Sequence, residues 1–311
     1  MLNEMVPFAY NPRYYGGTEY IAKRVIETIL PDLPKFKDYE CILLPGYNPD
    51  EVMLSSNKKI IWFHNLLNQY DARTIASLSK PGFFDTVEFI ITVSEYHKKS
   101  IVDDLNVPEE KVFVIYNSID PIDYELDKFN STNKLKIIHA SGHERGMAWL
   151  LHGLQYIDQD FELNIYNGFN PDIMDLPPFI NFKNDSRVNF YGQTPKKTVL
   201  KAFSESHIHA YPATFLETFC LAQVESLSAG CVPVYNPIGS LEEVSSGFGF
   251  KSNIKEIDIF EDSKIFAEDL DNAISYVKNN KLNLKDQSDF INSKFSWSNA
   301  KLRWEELHSL I

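Results

Sequence analysis

The sequence predicts an α/β protein of two Rossmann-like domains facing across a cleft. Three observations carry this. Short apolar runs alternate with helical periodicity in both halves of the chain. A polar stretch, Asp120–Lys134, separates the halves. The 311 residues exceed what one hydrophobic core usually organises.

The first half opens with a strand near Val6–Ala9, which leads into a Gly16-Gly17 turn. Ile21, Val25, Ile26 and Ile29 recur at helical spacing, and Pro31 ends that helix. Cys41–Leu44, Lys59–Phe63, Phe89–Val93 and Val112–Ile115 read as strands. Apolar runs this short and continuous suit a parallel sheet covered on both faces. Ser94 caps a helix through about Asp104. The second half repeats the rhythm. Strands are expected at Leu135–His139, Leu163–Tyr166, Val188–Tyr191, Ile208–Tyr211 and Val232–Tyr235. Helices are expected at 146–155, 195–204, 218–228, 240–246, 263–279, 284–293 and 297–309. The domains are set at 1–125 and 126–296, with Asp120–Lys134 as the linker. Two such sheets bind ligands at the C-terminal ends of their strands.

Composition narrows the function. Hydrophobic residues make up 44% and aromatic residues 14%, enough for real cores. Cys41, Cys220 and Cys231 lack metal-ligand spacing and fit a reducing compartment, so a cytoplasmic protein is expected. Net charge is −13. The first 125 residues hold 12 basic and 19 acidic side chains, and the rest 18 and 24. Neither half is a basic module, so no nucleic-acid partner is expected. Lys35, Lys37, Lys58 and Lys59 leave room for at most peripheral membrane contact. The N-terminus reads as no secretory leader, and no apolar window reaches the length of a membrane span.

The chemistry concentrates in Tyr211–Gly230. Glu217 lies in the loop after a strand, and Glu225 stands eight positions on, among Leu221, Ala222, Val224 and Leu227. A buried acid is rare unless it is paired or functional. A helix N-terminus offers free N–H groups and a partial positive charge for phosphate. Ionised carboxylates accept hydrogen bonds from hydroxyls. Together these suit a nucleotide-sugar, which has ribose, diphosphate and sugar. Thr218, Phe219, Cys220 and Leu221, at the helix start, are the expected donor-binding run. Gly16-Gly17-Thr18-Glu19 offers a close backbone approach, although it is no dinucleotide fingerprint. His64 ends a strand and could donate to sugar or phosphate. Arg145, ahead of Gly146, can hold a diphosphate bidentately and strengthen its grip as the leaving group gains charge. Tyr191-Gly192-Gln193-Thr194 offers backbone groups for a base, and Pro237-Ile-Gly239-Ser240 repeats the strand–loop–helix pattern. No histidine pair has zinc-helix spacing, and no metal is expected.

These residues together resemble the family-4 retaining glycosyltransferases of GT-B fold. The resemblance runs through Gly16-Gly17-Thr18-Glu19, Val93-Ser94, Val114–Asp120, Arg145-Gly146, Tyr191-Gly192, Glu217-x7-Glu225 with Ala229-Gly230, and Phe295-Ser-Trp297. It implies that Glu217 contacts the donor sugar and Glu225 the ribose hydroxyls. It also implies that N–H groups near Phe219 and Cys220 face the diphosphate or sugar, with Gly17 and His64 approaching from the other domain. The terminal helix, 297–311, would cross back to the first domain. The implied reaction transfers a sugar from a UDP- or GDP-linked donor with retention, without cofactor or obligatory metal. The acceptor would be a glycan, a lipid-linked or a small molecule. One feature departs from the family pattern: where a Gly-Arg pair usually precedes the basic residue, this chain has His139-Ala140-Ser141. The form Ser141-x-x-x-Arg145-Gly146 leaves one phosphate cation, with Lys196 or Lys197 as candidates for the second.

Other classes fit less well. A glycoside hydrolase needs two carboxylates about 5–9.5 Å apart across one bond, whereas Glu225 sits well inside its helix. A metal-dependent transferase needs an Asp-x-Asp after a strand, but Asp269-Leu-Asp271 lies in a helical pattern. A sugar-nucleotide epimerase on the same fold and a non-catalytic nucleotide-sugar-binding module are the alternatives kept.

Overall fold

A computed structural model describes residues 16–44, 57–123, 128–130, 134–166, 175, 179–255, 258–280 and 282–311. The chain divides into two compact units. One holds the residues up to Ser118 together with Phe295–Ile311; the other is Ile119–Lys294. The strand expected at Val6–Ala9 lies outside the described residues.

In the first unit, α1 (Gly17–Thr28) buries Ile21, Ala22 and Val25. Strands β1 (Glu40–Leu44), β2 (Lys59–Phe63), β3 (Val87–Thr92) and β4 (Val112–Val114) form a parallel sheet in that order. Every residue of β2 is buried, as a strand covered on both faces requires. Helix α2 (Ala72–Leu78) was not expected. Asp71 caps it by accepting from the Arg73 and Thr74 N–H groups. Ser94 caps α3 (Glu95–Leu105), accepting from the His97 N–H at 3.0 Å. The last helix of the chain, Trp297–Leu310, packs on this unit. The Trp304 ring meets Trp62 edge-on at 5.1 Å and Phe36 at 5.6 Å. Arg303 donates to the Val114 carbonyl at 3.2 Å.

The four lysines considered for membrane contact are mostly engaged. Lys59 is buried and donates to the Asn57 carbonyl and the Thr86 hydroxyl. Lys58 pairs with Glu88 at 2.9 Å, and Lys35 donates to the His308 carbonyl. Among the described residues, no helix is long and apolar enough to cross a membrane.

The second unit holds a six-stranded parallel sheet. Its strands are β5 (Lys136–Ala140), β6 (Glu162–Tyr166), β7 (Val188–Phe190), β8 (Ile208–Tyr211), β9 (Val232–Tyr235) and β10 (Phe250–Lys251). Their order is β10-β9-β8-β5-β6-β7. The chain therefore runs outward one way from β5 and the other way from β8, and these two meet at a topological switch point. Three of the helices beside this sheet bear on the site: α4 (Met147–Gly153), α5 (Lys196–Glu205) and α6 (Leu221–Ser228). Side chains alternate across the strands. Ile137, Leu163, Ile165 and Ile208 join Leu150, Leu154, Phe266 and Leu270 in one core cluster. Ile138 joins Phe203 and Ala229 in another.

Several boundaries differ from expectation for local reasons. Helix α6, which carries Glu225, begins at Leu221 rather than 218, because Thr218–Cys220 is not helical and Cys220 is extended. The helix expected from 263 begins at Ile259, since Asp258 accepts from the Phe260 and Glu261 N–H groups. The short β10 was not foreseen. The division falls after Ser118 rather than near residue 125. Where it is described, the stretch read as a linker is docked on the second unit. Ile122 packs with Ile138 and Phe203, and its N–H reaches the Ser228 hydroxyl at 3.1 Å. The buried Lys128 ammonium donates to the Ser206 and Ala229 carbonyls at 2.8 and 2.6 Å.

Buried histidines make the fold acid-sensitive. Burial pushes His139 down to about 4 and His209 to about 3, the latter helped by His139. In the unfolded chain both return to about 6.5. Between those values the unfolded state binds more protons, so stability is lost as pH falls through that window. The thermal midpoint should fall steadily from about pH 7 to about pH 4; a flat midpoint would contradict the neutral buried imidazoles.

Candidate active site

The switch point between β5 and β8 brings together Arg145, Gly146 and Glu217 among the second unit's candidate residues. Strand β5 ends at Ala140 and runs into Ser141–Gly146, ahead of α4. Strand β8 ends at Tyr211 and runs into the loop that carries Glu217 and leads to α6. Open parallel sheets hold ligands at such a point, beyond the carboxyl ends of the strands.

Arg145 and Glu217 form an ion pair, Nη1 to Oε1. Glu217 is 6% exposed. The Tyr211 hydroxyl donates to the same oxygen at 2.6 Å. Arg145 also lies over the Phe215 ring, 4.1 Å from its centre. Burial works against the guanidinium charge. Glu217, with Tyr211 and Cys220, outweighs it and holds the Arg145 pKa above its ordinary value. Gly146 adopts φ +96°, and a methyl there would collide with the Pro212 carbonyl. The backbone after Arg145 thus passes directly against the loop that carries Glu217.

The second acid is placed similarly. Glu225 is 4% exposed on α6 and pairs with Lys196, the first residue of α5. Burial raises the Glu225 pKa. Lys196 opposes that, and Asp120 adds to it. Among the described residues, each acid is paired with one cation. The pairing of Lys196, a candidate for the second phosphate cation, is with the acid expected at the ribose.

The tip of α6 lies between the two acids in sequence. The Val224 N–H closes onto the Cys220 carbonyl at 3.2 Å, so the N–H groups of the first turn precede the helical ladder. Thr218, Phe219 and Cys220 are buried there, and Leu221 is half-buried. Burial raises the Cys220 thiol, with Glu217 adding to the effect, so it is protonated and poorly reactive. Gly192 is buried at φ +63°. The exposed Tyr191 ring before it lies parallel to Tyr166, centres 4.7 Å apart. The Asp269-x-Asp271 pair lies inside the helix Ile259–Asn279.

The remaining expected residues belong to the first unit. Gly16 precedes α1 and donates its N–H to Glu19 Oε2 at 3.0 Å, so Glu19 caps its own helix; Gly17 opens α1. His64 is 5% exposed, its ring 4.7 Å from that of Trp62. Burial, with His97 nearby, pushes it down to about 3. His64 is thus a neutral hydrogen-bonding group rather than a cation for phosphate.

The sequence patterns assigned no role to Tyr211, Ser141 or Phe215, and placed Gly239 only in a turn. A tyrosine closing a buried strand is the signal that could have pointed to Tyr211, because its hydroxyl needs a partner. Gly239 is explained by contact. A Cβ there would stand 2.6 Å from the Glu217 carbonyl oxygen and 2.7 Å from its nitrogen, at φ +61°. The next residue, Ser240, donates its N–H to that carbonyl at 2.8 Å. Gly239→Ala should cost about 1–3 kcal/mol and displace Glu217. Gly192→Ala, with nothing within 4 Å of its Cβ, should cost less. Denaturant unfolding of the two variants checks this; equal losses would show that the contact with Glu217 is not tight.

No protein-family model matches the sequence. The chain is 23% identical over 190 residues to an uncharacterized glycosyltransferase of Methanocaldococcus jannaschii, covering 56% of this chain and 48% of that protein. It is 27% identical over 233 residues to a subunit of the human phosphatidylinositol N-acetylglucosaminyltransferase, covering 71% of this chain and 46% of that one. It thus spans about half the length of the curated relatives it matches. Among solved structures, Anabaena HepE in complex with UDP and glucose superposes with a TM-score of 0.68 at 14% identity, covering 97% of this chain and 85% of that one. That likeness is one of fold. With its two parallel-sheet, Rossmann-like units, the chain has the GT-B fold, which it shares with glycosyltransferases.

Proposed function

We propose that the chain is a glycosyltransferase that moves a sugar from a UDP- or GDP-linked donor to a glycan, lipid-linked or small-molecule acceptor. Transfer retains configuration and needs no metal. Retention and kinship with family 4 rest on the sequence resemblance. The observation that carries the activity is the pair of acid–cation contacts, Arg145–Glu217 and Lys196–Glu225, whose acids flank the start of α6 in sequence. HepE, which binds UDP and glucose, supports a nucleotide-sugar as the ligand class.

Each part of the donor then meets suitable chemistry. The diphosphate takes the α6 N–H groups and Arg145, with Lys196 as the second cation. The Glu225 carboxylate accepts the ribose hydroxyls, and Glu217 accepts sugar hydroxyls. As the sugar–phosphate bond breaks, charge grows on the leaving diphosphate, and Arg145 stabilises that change. Arg145 is held by Glu217, so donor binding exchanges one anionic partner for another. The roles of His64, Gly16 and Gly17 rest on the sequence resemblance alone.

Calorimetry with UDP and GDP, together with nucleotide-sugar hydrolysis, tests this. Glu225→Ala should weaken nucleotide affinity about tenfold or more. Arg145→Ala should lower turnover by on the order of 10²–10³. Unchanged affinity in the Glu225 variant would remove the ribose assignment, and failure of the wild-type chain to bind either nucleotide would remove the function.

A further inference from the structure

Glu217 has two carboxylate oxygens, and its partners share one of them. Tyr211 and Arg145 both reach Oε1. Among the described residues, no hydrogen bond reaches Oε2. We propose that Tyr211 is a positioning residue that fixes the Glu217 carboxylate so that Oε2 is the oxygen presented to a hydroxyl of the donor sugar. This rests on the function proposed above and assigns a residue to it.

The two partners of Oε1 differ in kind. Arg145 is charged, and its side chain is 27% exposed. An arriving diphosphate competes for it directly. Tyr211 is neutral and fully buried. Phosphate gains little from it, so it is the partner that stays when Arg145 turns to the ligand. Its own position is tightly set. It closes β8, in register with Tyr235 of β9. Its ring stacks on His139 at 5.9 Å and His209 at 5.5 Å. Its hydroxyl lies 3.3 Å from Ser141 Oγ, which extends from the end of β5 across the switch point, and beside the buried Cys220 thiol. With the tyrosine proton committed to Glu217, Ser141 is the donor to the tyrosine oxygen. The result is a directed relay, Ser141 to Tyr211 to Glu217, built on two rigid strands. A glutamate on a loop, held by Arg145 alone, would lose its orientation once that arginine moved.

The test separates sugar recognition from nucleotide recognition. Affinities of UDP, GDP, UDP-glucose and GDP-mannose are measured on wild type, Tyr211→Phe, Glu217→Gln and the double variant. Tyr211→Phe removes one oxygen and keeps the ring. It should leave nucleoside diphosphate affinity within about twofold and weaken the preferred nucleotide-sugar about tenfold, the scale of a lost hydrogen bond to a charged group. The double variant should bind no worse than Glu217→Gln, because the two residues act through one carboxylate. Equal losses for nucleotide and nucleotide-sugar, additive losses in the double variant, or unchanged sugar-nucleotide affinity each overturn the inference. If Tyr211→Phe fails to fold, Ser141→Ala must show a smaller loss of the same selectivity, and its absence overturns the relay. Should the wild-type chain bind neither nucleotides nor nucleotide-sugars, the proposed function falls and takes this assignment with it.

Discussion

Two carboxylates buried near one helix tip govern the second unit's design. A buried, unpaired carboxylate is too costly to keep ionised, so each needs a cation or several donors. Glu217 has Arg145 and Tyr211; Glu225 has Lys196. These contacts require the loops after β5 and β8 and the start of α5 to converge. The switch point in the strand order makes that convergence possible, because chain segments leave β5 and β8 side by side in opposite lateral directions.

The same pairing shapes what a ligand must do. A diphosphate bound as proposed, beside the α6 tip, would meet cations already paired with acids. Net affinity is then a difference between two sets of contacts, as for any exchange between bound partners. In the proposed function, hydroxyls of ribose and sugar would compensate, each donating to an acid as its cation turns away. A bare phosphate lacks those hydroxyls. This charge balance therefore favours an anion that also carries sugars, which is the chemistry of the proposed donor.

Backbone restrictions hold this balance in place. Gly146 allows the loop after Arg145 to lie against Pro212, and Gly239 allows the loop after β9 to lie against the Glu217 backbone. Both have positive φ. Their space is occupied by neighbouring backbone, so any side chain there would push Glu217 or Arg145 out of line. Precision at the acid thus comes from close packing of three loops rather than from a single rigid element.

The amino-acid sequence by itself determined the periodic parts. Apolar runs of strand length marked the buried parallel strands, and helical spacing marked helices such as α6, which ends at Ser228. Glu217-x7-Glu225, across a strand–loop–helix step, drew the candidate site. Local signals also misled at helix starts, where one cap such as Asp258 outweighs several residues of apolar pattern. Only the tertiary structure decided the partners. Arg145 and Glu217 are 72 positions apart, and Lys196 and Glu225 are 29 apart. Periodicity reports the neighbours along one element, whereas an ion pair depends on which strand ends lie side by side. Burial likewise decided that the His64 imidazole is neutral. Solvent exclusion is a property of the packed unit, and no spacing along the chain encodes it.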